Sequence, residues 1–358
     1  MLKTSLYNKH RDLNAKILPY GGYLMPINYS GGIQNEYNAV RNDVGVFDVS
    51  HMGQIFIKGE NALKFIHKIA VNDASILRDG DAQYSAICND SGGILDDIIV
   101  YKLTNNKFLL VVNASNCLKI FEWLNKYNKY DCDISNKTSD LSLIAVQGPN
   151  SRKIIEKILE CPINLAFYKH QEYILNNKKI FISRTGYTGE LGFELLGSPD
   201  IINDFWDLLI QNKVEPCGLA VRDVLRMEMK YCLYGNDINE LISPIEASLS
   251  WIVKNSTNYI GSEKINNQKR NGVDKKLMCI KMIDKCIPRT GYKVFIDQDE
   301  VGIITSGTFS KSLNTGIAMA YINIEKINNK NICIEIRGKM NKGEIVKPPF
   351  IKDTSLHN

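Results

Sequence analysis

Apolar residues fall on two spacings along this chain, and the balance between them shifts towards alternation in its last third. Gly31 to Arg41 has a polar-to-amphipathic pattern that predicts a helix ending near Asn42, and the apolar run Val44 to Val49 predicts a strand after it. Gln54 to Lys58 reads as a short strand. Ala62 to Ala70 reads as a helix, because Leu63, Ile66 and Ala70 share one face. Further strands are expected at Gln83 to Cys88, Asp97 to Leu103 and Lys107 to Asn113, with Asn89-Asp90-Ser91-Gly92-Gly93 as the turn between the first two. Leu143 to Pro149 predicts a strand ended by its Gly-Pro pair, and Ser151 to Leu159 a helix. A strand at Lys179 to Arg184 then enters a glycine-rich turn, Thr185 to Gly192, and two helices are expected at about Pro199 to Gln211 and Leu219 to Lys230. From Trp251 onward short strands and turns take over, including 278–282, 302–306, 318–322 and 333–337. The pattern is α+β, with a separate β-rich C-terminal domain. The polar stretch Asn255 to Gly272 reads as a linker whose role is connection only.

Length and composition narrow this picture. A chain of 358 residues exceeds what one core usually organises, so two or three domains are expected. A 44% hydrophobic and 23% charged composition is ordinary for a globular protein, and a net charge of +5 is too mild to imply nucleic acid. No segment has the apolar length of a membrane span, and Met1 to Leu6 lacks the apolar run of a secretion signal, so a cytoplasmic location without membrane attachment is expected. Nine cysteines, an odd number with no Cys-x-x-Cys pair, read as reduced core thiols, and no ligand-like histidine or cysteine cluster suggests a metal. Without any Gly-x-Gly or Walker-type Gly-Lys-Ser/Thr, NAD, FAD and ATP chemistry are disfavoured.

Five stretches are dense in turn formers, acids and aromatics. In Phe47-Asp48-Val49-Ser50-His51-Met52-Gly53 the bland reading is a strand end where Asp48 and Ser50 satisfy backbone donors and His51 is simply buried. Tyr84 and the hairpin around Asp96-Asp97 come next. An extended segment sends the two aspartates to opposite faces, and a carboxylate among Leu95, Ile98 and Ile99 sits where desolvation raises a pKa and makes a general base useful. A paired structural aspartate fits that segment equally well. In Ser183 to Glu194, glycines 186, 189 and 192 permit tight turns, Tyr187 offers a stacking face and Glu194 a carboxylate. Such a carboxylate suits a planar heterocycle with an amidine-like edge, such as a pterin, though an elaborate β-turn is the alternative. In Cys217 to Glu228, read as lying on a helix, Asp223 can pair with Arg226 at i, i+3, and ion pairing is the ready explanation for Asp223, Arg226 and Glu228. Arg222, nearest the glycine at the helix start, is the better ligand candidate. Tyr234 to Ile238, followed by Ser250-Trp251, adds another stacking surface.

Together these stretches closely resemble the aminomethyltransferase family, the T-protein of the glycine cleavage system. The family's order is followed by Leu6 to His10, Met25-Pro26, Ala39-Val40-Arg41, Phe47 to Met52, Ser91-Gly92-Gly93 with Asp96-Asp97, Val112-Asn113, Gln147-Gly148-Pro149, Gly186 to Glu190, Leu233-Tyr234-Gly235 and Ile304 to Ser310. The resemblance implies a three-domain α+β fold around a central folate cavity: residues 1–49 with 140–246, residues 50–139, and residues 247–358. It implies transfer of a carbon from the aminomethyl-dihydrolipoyl arm of a lipoylated H-protein to tetrahydrofolate, with release of ammonia. By the same resemblance Asp97 is the catalytic carboxylate. Glu194 would recognise the pterin edge, with Arg222 as its partner, Tyr84, Tyr187 and Trp251 as stacking faces, and Met52 and Asn113 as the remaining wall. The chain departs from the family's usual pattern at Tyr23, at Met229-Lys230 where small residues are common, and at Ile351 to Ser355. Two rivals share the scaffold: a folate-dependent demethylase, and a non-enzymatic iron–sulfur assembly protein. Lys230 to Asp237 has neither the glycine before its cysteine nor the Gln-Glu ending that mark the assembly proteins.

Overall fold

A computed structural model describes residues 1–254, 258–327 and 331–358. The first large sheet has six strands in the order His170–Leu175, Lys178–Ser183, Gly192–Gly197, Ser142–Gln147, Gly45–Asp48 and Glu215–Cys217. Its centre joins distant parts of the chain, since Ser142–Gln147 pairs antiparallel with Gly192–Gly197 on one side and Gly45–Asp48 on the other. Gly45–Asp48 and Ser142–Gln147 are buried throughout, which explains their near-continuous apolar runs. Helices Ser151–Leu159 and Pro199–Gln211 cover one face, with Ile155, Ile201, Phe205 and Trp206 packed on Val46, Ile144, Val146 and Leu195.

A second, five-stranded antiparallel sheet runs Ala82–Cys88, Ile94–Thr104, Lys107–Val112, Gly53–Lys58 and Asp133–Asn136. Helices Ala62–Ile69 and Cys117–Tyr127 cover it through Phe65, Ile66, Ile69, Ile120 and Leu124. The last third closes into a six-stranded barrel, Lys275–Met282, Thr315–Asn323, Asp299–Ser310, Lys293–Ile296, Asn331–Ile336 and Lys339–Val346, which leaves no sheet edge open. A small sheet of Leu2–Lys3, Tyr23–Asn28 and Lys16–Tyr20 completes the molecule. The architecture is therefore α+β with a C-terminal barrel. No helix among the described residues is long and apolar enough to cross a membrane.

Helices Ser151–Leu159 and Pro199–Gln211 have the expected limits, whereas the helix expected to run to Lys230 stops at Glu228. Lys230 takes a left-handed backbone, φ 61°, which turns the chain out of the helix. Where a connecting segment was expected at 255–272, Asn255 to Thr257 lie outside the described residues and Ser262–Asn271 is a helix between Gly261 and Gly272, both at positive φ. It anchors through buried Ile265 alone among apolar side chains, so its sequence carries no periodic stripe to announce it.

Candidate functional site

The register of the hairpin fixes where its two carboxylates go. Asp97 stands opposite Ala86 and Asp96 opposite Ile87, on alternate faces of the sheet. Asp96 is fully buried and saturated, accepting from the Asn113 backbone N–H at 2.9 Å, the Asn113 Nδ2 at 2.8 Å and the Asn116 Nδ2 at 2.6 Å. Asp97 is half-buried and faces a cavity, where it accepts from the Tyr84 hydroxyl at 3.0 Å and the Asn113 Nδ2 at 2.8 Å. One side-chain amide thus donates to both carboxylates. Burial pushes both acids above the usual carboxylate range, and the neighbouring charge of Asp97 adds to the rise at Asp96, taking it to about 8. The Tyr84 and Asn113 donors oppose the rise at Asp97. The two titrate as a pair, and burial keeps one proton on that pair towards neutrality.

The glycine-rich turn is braced from beneath by Gln147. A Cβ on Gly186 would meet the Gln147 amide at 2.1 Å and one on Gly192 at 2.3 Å, so a side chain at either position would have to displace that amide. Gln147 donates to the Thr185 carbonyl at 3.2 Å and accepts from the Thr188 hydroxyl at 2.9 Å. Held this way, Tyr187 donates its hydroxyl to the Cys232 carbonyl and stacks on Tyr231 with ring centres 5.6 Å apart. Glu194, on the next strand, accepts from the Thr185 hydroxyl. Burial raises the Glu194 pKa, against the pull of Thr185 and the nearby charge of Arg222.

Helix Leu219–Glu228 presents its two arginines to different surroundings. Arg226 is buried and spent on Asp237 at 2.6 Å, Asp223 at 2.8 Å and Ser306 at 2.9 Å. Glu228 is likewise spent, on Arg41 at 2.6 Å, Ser310 at 2.6 Å and Tyr37 at 2.9 Å. Arg222 forms no ion pair among the described residues; its guanidinium lies 4.2 Å from the Tyr187 ring centre, facing the cavity.

That cavity, about 1250 Å³, lies where the sheets and the barrel meet. Met52, Tyr84, Asp97, Asn113, Tyr187, Glu194, Arg222 and Trp251 all line it, so the eight residues expected to form the site reach one space. Trp251 stands at the rim, 58% exposed, with its ring 5.9 Å from that of Tyr84 in a stacked arrangement. The bland reading holds for Asp48, which accepts from the Ser50 N–H and the Thr4 hydroxyl, and for Ser50, which exchanges hydrogen bonds with the Leu143 backbone. His51 does more than fill the core, because it also lines the cavity, edge-on to Tyr20 at 5.8 Å. Burial drops its pKa to about 4, so it is neutral at pH 7. Tyr20, Tyr168, Tyr231 and His357 are wall residues that pattern did not pick out, and Lys230, noted only as a departure from small residues, joins them. Only the density of aromatic residues near known motifs could have flagged the three tyrosines. His357 arrives through the C-terminal segment, where Ser355 donates to Glu190 from both N–H and hydroxyl, and Arg184 Nη2 donates to the Leu356 carbonyl at 3.1 Å.

Residues 6–257 match the family model of the GCVT N-terminal domain, and residues 275–352 match that of the glycine cleavage T-protein C-terminal barrel domain. The chain belongs to the glycine cleavage T-protein family. Curated relatives in this T-protein family include an aminomethyltransferase of Halothermothrix orenii, 41% identical over 98% of this chain and 100% of that protein. Another, from Thermosipho melanesiensis, is 43% identical over 98% of each chain. Among solved structures, the glycine cleavage system aminomethyltransferase T of Bartonella henselae superposes with a TM-score of 0.92 at 31% identity, covering 99% of both chains. The T-protein fold is thus shared along essentially the whole length, barrel included.

Proposed function

We infer that this chain is the aminomethyltransferase of the glycine cleavage system: it takes the aminomethyl group from the dihydrolipoyl arm of a lipoylated H-protein, passes the carbon to tetrahydrofolate and releases ammonia in the cytoplasm. The observation that carries this reading is the convergence of Asp97, Glu194 and Arg222 on one cavity in a chain of this family. We read the chain as three domains, 1–49 with 140–246, 50–139 and 247–358, each giving the cavity a wall.

The cavity suits a folate in three respects. Its volume exceeds the usual range for one drug-sized ligand, leaving room for a folate together with the end of a carrier arm. Glu194 brings a carboxylate able to accept two parallel hydrogen bonds from a pterin edge, and Arg222 over Tyr187 supplies a flat, cationic surface beside it. Tetrahydrofolate supplies the nitrogens that accept the carbon. Asp97 holds or releases a proton next to those nitrogens, and its negative form favours positive charge developing on the carbon in transit. Tyr84 and Asn113 hold the Asp97 carboxylate in one orientation through two hydrogen bonds. Met52 and Trp251 add apolar surface to the cavity wall, and holding donor and acceptor together removes much of the entropic barrier.

The test is ammonia release from aminomethyl-loaded H-protein. Release that depends on both tetrahydrofolate and this chain is expected, and binding of tetrahydrofolate should survive treatment with a chelator. Loss of the requirement for H-protein, with turnover of a small methylamine instead, would sink the reading in favour of a demethylase.

A further inference from the structure

One buried cation on the cavity wall has no part in the chemistry above. Lys230 is 9% exposed, lines the cavity and makes no ion pair among the described residues. Its ammonium donates to the Ala247 carbonyl at 2.8 Å, with the Cys232 sulfur 3.9 Å away. Neither neighbouring thiol supplies a counter-charge, because burial pushes Cys232 and Cys279 each up to about 12 and both stay protonated. Leaving a buried ammonium without an anion is unfavourable unless something else gains from it.

The backbone adds a second cost at the same residue. Lys230 has φ 61°, the left-handed region where a Cβ is unwelcome and glycine is the ordinary choice after a helix. The other buried lysine among the described residues, Lys102, also donates to a carbonyl, but from the extended strand Ile94–Thr104 and away from the cavity. Lys230 therefore combines a left-handed backbone, an ammonium with no ion-pair partner among the described residues and a cavity address, a combination associated with ligand contact rather than folding.

We propose that the Lys230 ammonium is an anion anchor in the cavity, engaging a carboxylate on the glutamate tail of the bound folate. The proposal rests on the folate reading given above. Glu194 and Lys230 both line the cavity but come from different elements: Glu194 projects from strand Gly192–Gly197 of the six-stranded sheet, whereas Lys230 follows helix Leu219–Glu228 and is tied to Ala247. A carboxylate selects the donor edge of a pterin, and an ammonium selects the acidic end of the same ligand.

The experiment compares equilibrium binding of tetrahydrofolate and of tetrahydropteroate, the same ring system without glutamate, to the full chain and to Lys230→Gly. The substitution should cost about tenfold in tetrahydrofolate affinity and nothing for tetrahydropteroate. Thermal unfolding should meanwhile shift upward by about 1–3 °C, because glycine relieves the left-handed backbone. Lys230→Met, which keeps the Cβ and the apolar stem, should show the binding loss without that gain. Equal losses for both ligands would make Lys230 a ring contact and overturn the proposal, as would unchanged binding with a lowered melting temperature, which would assign the ammonium to the Ala247 carbonyl. If the unaltered chain bound neither ligand, the folate reading itself would fall; if it bound both equally well, only the anchor would.

Discussion

Strand Ile94–Thr104 and helix Leu219–Glu228 each carry two like charges close together, Asp96 with Asp97 and Arg222 with Arg226, and each divides them the same way. On the strand the division comes from the two-residue period: Asp96 turns inward onto three amide donors, and Asp97 turns to the cavity with two. On the helix, residues four apart share a face, so geometry alone cannot separate the arginines. Depth along the axis does it instead. Arg226 meets Asp237 from beyond the helix end and Ser306 from the barrel, while Arg222, a turn nearer Gly218, lies over Tyr187. In both elements the charge that faces the cavity is the one whose hydrogen-bonding capacity the protein leaves least filled.

The sharpest way to break this comparison is to treat the saturated members as functional. Arg226→Met should strand buried Asp237 without its partner and cost about 3–5 kcal/mol in chemical denaturation. Near-normal stability with lost folate binding would move Arg226 into the site. Next in size, Asp97→Asn should lower single-turnover rates by roughly a hundredfold while folate still binds. An inactive but well-folded Asp96→Asn beside a nearly normal Asp97→Asn would exchange the two roles.

Asp96→Asn is expected instead to cost about 1–3 kcal/mol, because its new amide would face the Asn113 N–H donor to donor. The same variant carries a pH signature. A carboxyl whose pKa is raised on folding contributes stability that is fully present below its unfolded pKa near 4 and is lost as pH rises through the folded value of about 8. Unfolding free energy of the unaltered chain should therefore decline across that window, and Asp96→Asn should flatten the decline; an identical slope in both would show that the pair does not share a proton. Smallest of the four, Glu194→Gln should weaken folate binding by about tenfold and alter the chemical step less, since an amide cannot accept both hydrogen bonds from a pterin edge. Unchanged affinity would remove Glu194 from the recognition wall.

Much of this was legible in the chain because it is local. Alternation at Asp96-Asp97 and the three-residue spacing of glycines 186, 189 and 192 are written in neighbouring letters, and they point the right side chains the right way. The helix Ser262–Asn271 was not legible, because one buried isoleucine makes no stripe. Lys230 stood out only as a departure from small residues; its cavity position follows from a left-handed turn, and a lysine gives no sign of adopting one. The wall formed by His357 depends on Glu190 and Arg184 capturing a segment more than 160 residues further along, a pairing no window of sequence contains.

The pairing of Gly45–Asp48 with Ser142–Gln147 also sets a timetable. Asp48 meets Ile144 about a hundred residues later in the chain, so at roughly 5–20 residues per second the ribosome delays that partnership by some 5–20 seconds. The five-stranded sheet takes its strands wholly from residues made within that interval, between Gly53 and Asn136, and its hairpins close with short loops. Nascent Gly45–Asp48, buried on both faces in the finished sheet, has no central partner until the strands of that neighbouring sheet have been made. In the cell, every strand of the wall that bears Asp97 has been made before the strand that bears Glu194 is synthesised.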